Sequence, residues 1–351
     1  MGEFFSVWDS FQRLSLGLVL IGLAGGILIL SDWNRRIDSG EVDKRPRQQA
    51  QKPWRMNLLY YVDSPAFEEA REGVMKGFQE SGFVENQDFT MVVRNGQGDM
   101  ATANSMVDLA ATSDLDLLIT LSTPMLQAAM NRADDLPIVF SLVANPLLAG
   151  AGISNEQHRP NLTGIYTTSD FQGMMQILPL IMPQVRRIGT LFVPSEINSV
   201  FYKDLLTEEA QKVGVEVIAV GVSSTAEVVD GALALTSKPL DAICQISDNL
   251  TSAAFVSILR AAEQANLPLF SFQSSHLHDG AIAVIARDFE DAGREAAYLA
   301  IRILQGESPS SIPFQPIQQS RLMINLEATR KANLTVPSSL RQRADVRLGN
   351  P

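Results

Sequence analysis

The sequence predicts an α/β protein of two Rossmann-like lobes, each a doubly wound parallel sheet, preceded by an N-terminal hydrophobic helix. Three observations carry that prediction. Short apolar runs alternate with amphipathic stretches of helical length from residue 56 onward, which is the rhythm of a wound parallel sheet. The rhythm stops and resumes, so two such sets follow one another. The apolar runs are hydrophobic on both parities, as strands covered by helices on both faces must be.

In chain order, the apolar run 14–30 comes first. A helix of that length spans about 26 Å at 1.5 Å per residue, slightly short of a bilayer core of about 30 Å. Phe11 and Trp33 flank it as interfacial residues. A cleaved signal ending near Gly22-Leu23-Ala24 is the rival reading, but Ile27 to Leu30 continue the apolar run and favour an uncleaved anchor. Gly26 stands where a lipoprotein signal would carry cysteine. The basic residues after the run, Arg35, Arg36, Lys44, Arg45 and Arg47, oppose an extracytoplasmic body on the positive-inside rule, a rule that weakens for long translocated domains. Residues 31–54 have no apolar period and read as a flexible linker.

The first set then runs MNLLYYV, AFEEAREGVMKGFQES, FTMVVR, MATANSMVDLAATS, DLLIT, PMLQAAMNRA and PIVFS. The second runs RIGTLFV, SVFYKDLLTEEAQKVG, VEVIAV, STAEVVDGALALTS, LDAICQIS, TSAAFVSILRAAEQAN, LPLFSF and GAIAVIA. Phe67, Ala70, Val74 and Phe78 share one helical face; Val200, Leu205, Ala210 and Val213 share another less strictly.

Composition narrows the function. The formal charge is −11 over 351 residues; the first 55 carry eight basic against six acidic side chains, leaving twenty against thirty-three in the body. So acidic a body is unsuited to nucleic acid, whose phosphates need basic partners. Cys244 is the single cysteine, inside an apolar run, which excludes an intrachain disulfide. No phosphate-cradling glycine motif, nucleophile elbow or metal-spaced ligand cluster is present, and no cofactor is indicated. His276 and His278 lack neighbours at ligand spacing and read as loop surface.

Ligands of open parallel sheets bind at the carboxyl ends of the strands. Those ends are polar here: Asp63-Ser64-Pro65, Ser122-Thr123-Pro124, Asn145-Pro146, Glu196 with Asn198 and Ser199, and Asp248-Asn249. Ser64 and Thr123 each precede a proline, as hydroxyl N-caps do, and leave backbone N–H groups free for a carboxylate. Opposite them Asp248 can pair an ammonium, with Asn198 and Asn249 as hydrogen-bonding partners. The pattern suits a small zwitterion such as an amino acid.

Between residues 57 and 337 the chain resembles the substrate-binding proteins of ABC transporters, in the family that includes tryptophan- and tyrosine-binding members. The resemblance is carried by Val62-Asp63-Ser64-Pro65-Ala66, Ser122-Thr123-Pro124, Leu136-Pro137-Ile138-Val139-Phe140 and Asn161-Leu162-Thr163-Gly164. It continues through Pro194-Ser195-Glu196-Ile197-Asn198-Ser199, Ser247-Asp248-Asn249, Gly280-Ala281-Ile282-Ala283, Ile324-Asn325-Leu326 and Val336-Pro337. It implies a type I periplasmic-binding-protein fold with a three-segment hinge: crossovers near 161–165, at Arg287-Asp288 and in 308–316, with Gly164 and Asp288 as hinge residues. The implied division is 1–30 anchor, 31–54 linker, 55–163 plus 288–306 for one lobe, 164–287 plus 307–337 for the other, and 338–351 as a tail. Asn145-Pro146 departs from the family's usual Asp-Pro, so an acidic contact is lost. The implied function is extracytoplasmic, membrane-tethered and non-enzymatic: binding an amino acid, aromatic ones being within the family's range, and passing it to an ABC permease and its ATPase. A membrane-tethered sensor reporting to a signalling partner is the alternative.

Overall fold

The computed structural model describes residues 52–349; the apolar run 14–30 and all but the last residues of the 31–54 linker lie outside the described residues. Among the described residues, no helix is long and apolar enough to cross a membrane.

The first lobe is built from β1 (Trp54–Tyr60), α1 (Pro65–Glu80), β2 (Phe89–Asn95), α2 (Met100–Thr112), β3 (Leu117–Leu121), α3 (Thr123–Met130), β4 (Ile138–Val143) and β5 (Leu162–Tyr166). The second contains α4 (Phe171–Ile181), β6 (Arg187–Phe192), α5 (Ile197–Lys212), β7 (Glu216–Gly221), α6 (Val228–Thr236), β8 (Ala242–Gln245), α7 (Asn249–Ala253), α8 (Phe255–Gln264), β9 (Leu269–Ser271), α9 (His276–Asp279) and β10 (Ala283–Arg287). The chain then returns to the first lobe for α10 (Phe289–Leu304) and β11 (Gln315–Pro316). It ends in the second with β12 (Ser320–Asn325), α11 (Leu326–Lys331), α12 (Ser338–Arg343) and β13 (Val346–Leu348).

The first sheet has six strands in the order β11-β5-β4-β3-β1-β2, all parallel; the second has seven, β13-β12-β10-β9-β8-β6-β7. Central strands such as β3 and β8 are buried along their whole length, which is why their sequences are apolar on both parities. One pairing departs from the all-parallel expectation: β12 runs antiparallel to β10. β10 ends at the hinge with Arg287, and β12 leaves the hinge opposite it at Ser320, so the two must run in opposite directions.

The chain passes between the lobes at residues 167–170, at Asp288 and at 317–319. The first and third passages lie later than the sequence reading put them. Residues 162–166 are a strand of the first sheet, so Gly164 is a packing residue; a Cβ there would overlap the Phe140 carbonyl oxygen. Residues 315–316 pair with β5 on the sheet's edge, where Pro316 costs no ladder bond, and Phe314 packs edge-on against Phe140 at 5.0 Å. Residues 338–348 are likewise not a tail: Leu340 is buried and β13 extends the second sheet beside β12.

The amphipathic face of α1 is the one its sequence indicates, with Phe67, Ala70, Val74 and Phe78 all buried. On α5 the buried face is instead Asn198, Ser199, Tyr202, Leu206 and Ala210, with Val213 exposed. Polar residues occupy that face because its first turn looks into the space between the lobes. α10 lies along α1 in a crossing that only glycine permits: a Cβ on Gly73 would overlap the Glu290 carbonyl oxygen, and one on Gly293 that of Ala70. This crossing fixes where α1 begins, and so one edge of the site.

Candidate functional site

A cleft lies between the lobes at the carboxyl ends of both sheets. Its first-lobe wall comes from Ser64, Ala66 and Phe67 at the start of α1, Thr123 at the start of α3, and Leu142 and Ala144 after β4. Its second-lobe wall comes from Asn198 and Tyr202 of α5, Ser247, Asp248 and Asn249 ahead of and within α7, and Gln273 after β9. Thr167 and Phe289, at two of the hinge passages, close the back.

The first wall is built at the starts of two helices and the end of a strand. Ser64 sits at the N-cap position of α1 in extended geometry with its hydroxyl unused by the helix, and Pro65 follows at the first turn, where a missing N–H costs nothing. On α3 the cap is Ser122, not Thr123: its Oγ accepts from Met125 N at 3.3 Å, and its φ is 99°. Thr123 Oγ1 instead accepts from Ala144 N at 3.2 Å and ties α3 to the end of β4. That end is itself irregular. The β4–β5 register shifts between Phe140 and Val143, and Leu142 has a φ of 55°. Two non-glycine residues thus hold left-handed geometry at or beside one wall, a strain of the kind that collects at ligand sites.

The second wall is a network of buried side chains. Asp248 is 2% exposed and caps α7: Oδ1 accepts from Thr251 N at 2.8 Å and Thr251 Oγ1 at 2.6 Å, Oδ2 from Ser199 Oγ at 2.7 Å. Burial pushes its carboxyl above the usual aspartate range, against those hydrogen bonds. Glu196, 7% exposed, stands behind the wall; its Oε2 accepts from Asn198 Nδ2 at 3.1 Å and Asn249 Nδ2 at 2.6 Å. Burial first, and the Asp248 charge second, push Glu196 up to about 7. Tyr202, raised to about 12 by burial, stays a neutral phenol and donates to the Thr167 carbonyl at 2.9 Å.

Of the residues chosen from sequence, Ser64, Thr123, Asn198, Asp248 and Asn249 line the cleft. Ser199 and Glu196 stand one layer behind, hydrogen-bonded to those that do, and Ser122 caps α3 through Met125 N. Two lie elsewhere. Asp63 is exposed and accepts from Tyr60 Oη at 2.9 Å; Asn145 folds back on Leu147 N and Leu148 N at 3.0 and 3.1 Å. Asp288 caps α10 through Asp291 N and is ion-paired with Arg321 across the hinge. His276 is buried in α9 rather than on a loop surface, stacked on Phe255 with ring centroids 3.5 Å apart. Phe67, Leu142, Thr167, Tyr202, Gln273 and Phe289 also line the cleft and carry no strand-end motif in the sequence. For Tyr202 and Gln273 the signal was present, a polar group in an otherwise core-like stretch; Leu142 gives none, because its backbone angle is set by β4–β5 pairing.

The lobes also touch in front of the cleft. Ser274 Oγ donates to both Glu69 oxygens, at 2.8 and 3.1 Å, and the Leu250 side chain lies over Gly98.

Two wound sheets with a polar interlobe cleft and a three-strand hinge define a protein that traps a small solute between domains. The chain belongs to the family of ABC transporter substrate binding proteins, whose pattern it matches over residues 55–347. It is 28% identical over 320 residues to a tyrosine-binding protein of Clostridioides difficile (strain R20291), covering 90% of this chain and 91% of that one. Among solved structures it resembles the ABC domain of a Streptococcus pneumoniae protein in complex with L-Trp, at 22% identity and a TM-score of 0.82, covering 85% of this chain and all of the other. It also resembles the ligand-free, open form of a substrate-binding protein with adhesive properties from Clostridium difficile, at 26% identity, a TM-score of 0.64 and the same coverages. These relatives are solute-binding proteins, not enzymes. The higher score goes to the ligand-bound structure in spite of its lower identity.

Proposed function

We propose that this chain is the extracytoplasmic binding component of an ABC importer, and that its ligand is a zwitterionic α-amino acid with an aromatic side chain. The observation that carries the reading is the charge pattern of the cleft. Asp248 is the one acidic residue lining it, and no lysine, arginine or histidine does. Asp248 accepts from Thr251 N, Thr251 Oγ1 and Ser199 Oγ, but no cation among the described residues stands beside it and burial still raises its carboxyl; a ligand ammonium supplies the opposite charge that the wall lacks. Opposite, the starts of α1 and α3 present the positive ends of two helix dipoles and the unused Ser64 hydroxyl, which suit a carboxylate. Phe67, Tyr202 and Phe289 supply flat apolar surface for a ring. The tyrosine-binding relative, similar along nearly the whole chain, points the same way.

Function on this reading is closure without turnover. Ligand bridging both walls favours the closed form over the open one by its differential affinity, and the closed form is what a permease recognises. The apolar N-terminal segment tethers the body to the membrane beside that permease, raising its local concentration. Titration calorimetry with L-tyrosine, L-tryptophan and aliphatic amino acids tests the ligand class. Aromatic amino acids are expected to bind in the micromolar range or tighter, releasing heat with a negative heat-capacity change from ring burial. Absence of binding by every α-amino acid, with a non-amino compound released from protein purified from its own cells, would falsify the reading.

A further inference from the structure

The second wall contains polar atoms that the protein itself leaves without partners. Asn198 and Gln273 line the cleft and are 6% and 4% exposed, yet Asn198 Oδ1 and Gln273 Oε1 have no hydrogen-bond partner. In both residues the amide nitrogen is occupied: Gln273 Nε2 donates to Ser247 Oγ at 2.9 Å and Ser252 Oγ at 2.8 Å, Asn198 Nδ2 to Glu196 Oε2. Buried acceptors left unpaired are costly, and a site that carries them is built to receive a donor.

Glu196 decides which way the asparagines face. Its Oε2 receives the Nδ2 groups of Asn198 and Asn249 together while its Oε1 has no partner, and an oxygen that carries no proton accepts from carboxamide nitrogen but not from carboxamide oxygen, whether or not a proton sits on Oε1. The nitrogen ends are therefore drawn back to Glu196, and the Asn198 carbonyl oxygen is left without a partner on a residue that lines the cleft.

We propose that Glu196 is a positioning residue that never touches the ligand: by holding the Asn198 and Asn249 carboxamides nitrogen-inward, it makes the second wall an acceptor surface selective for an ammonium group. The inference rests on the zwitterion reading above and adds the device that enforces it. A ligand ammonium carries three N–H donors. Asn198 Oδ1, Gln273 Oε1 and Asp248 supply acceptors for them. A glutamine at 196 could instead present its own N–H₂, and the Asn198 amide would then be free to turn its nitrogen to the cleft.

The test measures affinities of the full chain for L-tyrosine and for 3-(4-hydroxyphenyl)propanoate, which lacks only the ammonium, in the parent, Glu196→Gln, and Glu196→Gln combined with Asn198→Asp. The parent is expected to prefer L-tyrosine by about a hundredfold or more. Glu196→Gln should cut that preference by roughly tenfold at an unchanged apo melting temperature or a higher one. The double variant should restore it, because an aspartate at 198 accepts from the new amide and offers oxygen to the ligand whichever way it turns. A single variant that keeps the parent's preference overturns the positioning role alone. A parent that binds both compounds equally, or neither, overturns the zwitterion reading and this inference with it.

Discussion

The two walls of the cleft are made of different material. The first lobe meets the ligand space with helix starts, hydroxyls and two residues in left-handed geometry; the second meets it with buried carboxylate and carboxamide side chains locked to one another. A backbone wall holds its N–H groups in place through the fold, so its recognition depends on helix placement and little on any one side chain. A side-chain wall can be undone by one substitution, and its charge moves with pH.

The largest expected contrast follows from Asp248. Asp248→Asn keeps an oxygen for the Thr251 cap but removes the charge, and should weaken amino-acid binding by about 3 kcal/mol, or roughly a hundredfold, in calorimetry. If the loss is only two- or threefold, the second wall is not the charge-bearing one.

Next comes pH. Glu196 rises from the ordinary glutamate range in the unfolded chain to about 7 in the folded one. The folded state thus binds more protons than the unfolded state between about 4.5 and 7. Its contribution is fully present below the unfolded value and is lost as pH climbs through 7, by up to about 3 kcal/mol. The buried, proton-poor His276, lowered to about 3, works the other way: its contribution is present above about 6.5 and is lost as pH falls. Urea unfolding of the parent and Glu196→Gln from pH 5 to 8 separates the two. The stability difference should shift in favour of the glutamine variant as pH rises, and a difference independent of pH would remove the case for a raised Glu196.

Third is Gly293→Ala. With the added Cβ forced against the Ala70 carbonyl, α10 and α1 must part, at about 2–3 kcal/mol of stability in denaturant melts. Ligand affinity should fall as well, because α1 carries the backbone wall. Normal affinity in a destabilised variant would mean that the start of α1 is not a recognition element.

The smallest effect belongs to Thr123→Val. It removes one hydroxyl acceptor for Ala144 N and should cost no more than about 1 kcal/mol, a few-fold in affinity. A loss as large as that of Asp248→Asn would erase the distinction between the walls.

How far this could be read in advance depended on the range of the interaction. The alternation from β1 to β10 was legible because burial on both faces writes itself into each strand, and the Asp248 cap because it bonds Thr251 three residues on. The strand ends as ligand edge followed from parallel winding alone. The hinge passages were displaced because the Phe140–Phe314 contact that draws residues 312–316 into the first sheet joins positions far apart in the chain. The α5 face was misjudged because hydrophobic period cannot anticipate a buried polar wall.

By itself, then, the sequence determined the fold class, the family and the polar strand ends, since these rest on local periodicity, local caps and the order of motifs along the chain. Only the tertiary structure decided which of those polar residues share a cleft. Asp63 turns to its own neighbour Tyr60 and Asn145 to its own loop, while Glu196 reaches Asn249 across 53 positions and Asp248 meets Ser199 across 49. Whether a polar side chain serves its own turn or a distant partner is settled by packing between elements, and no local pattern encodes it.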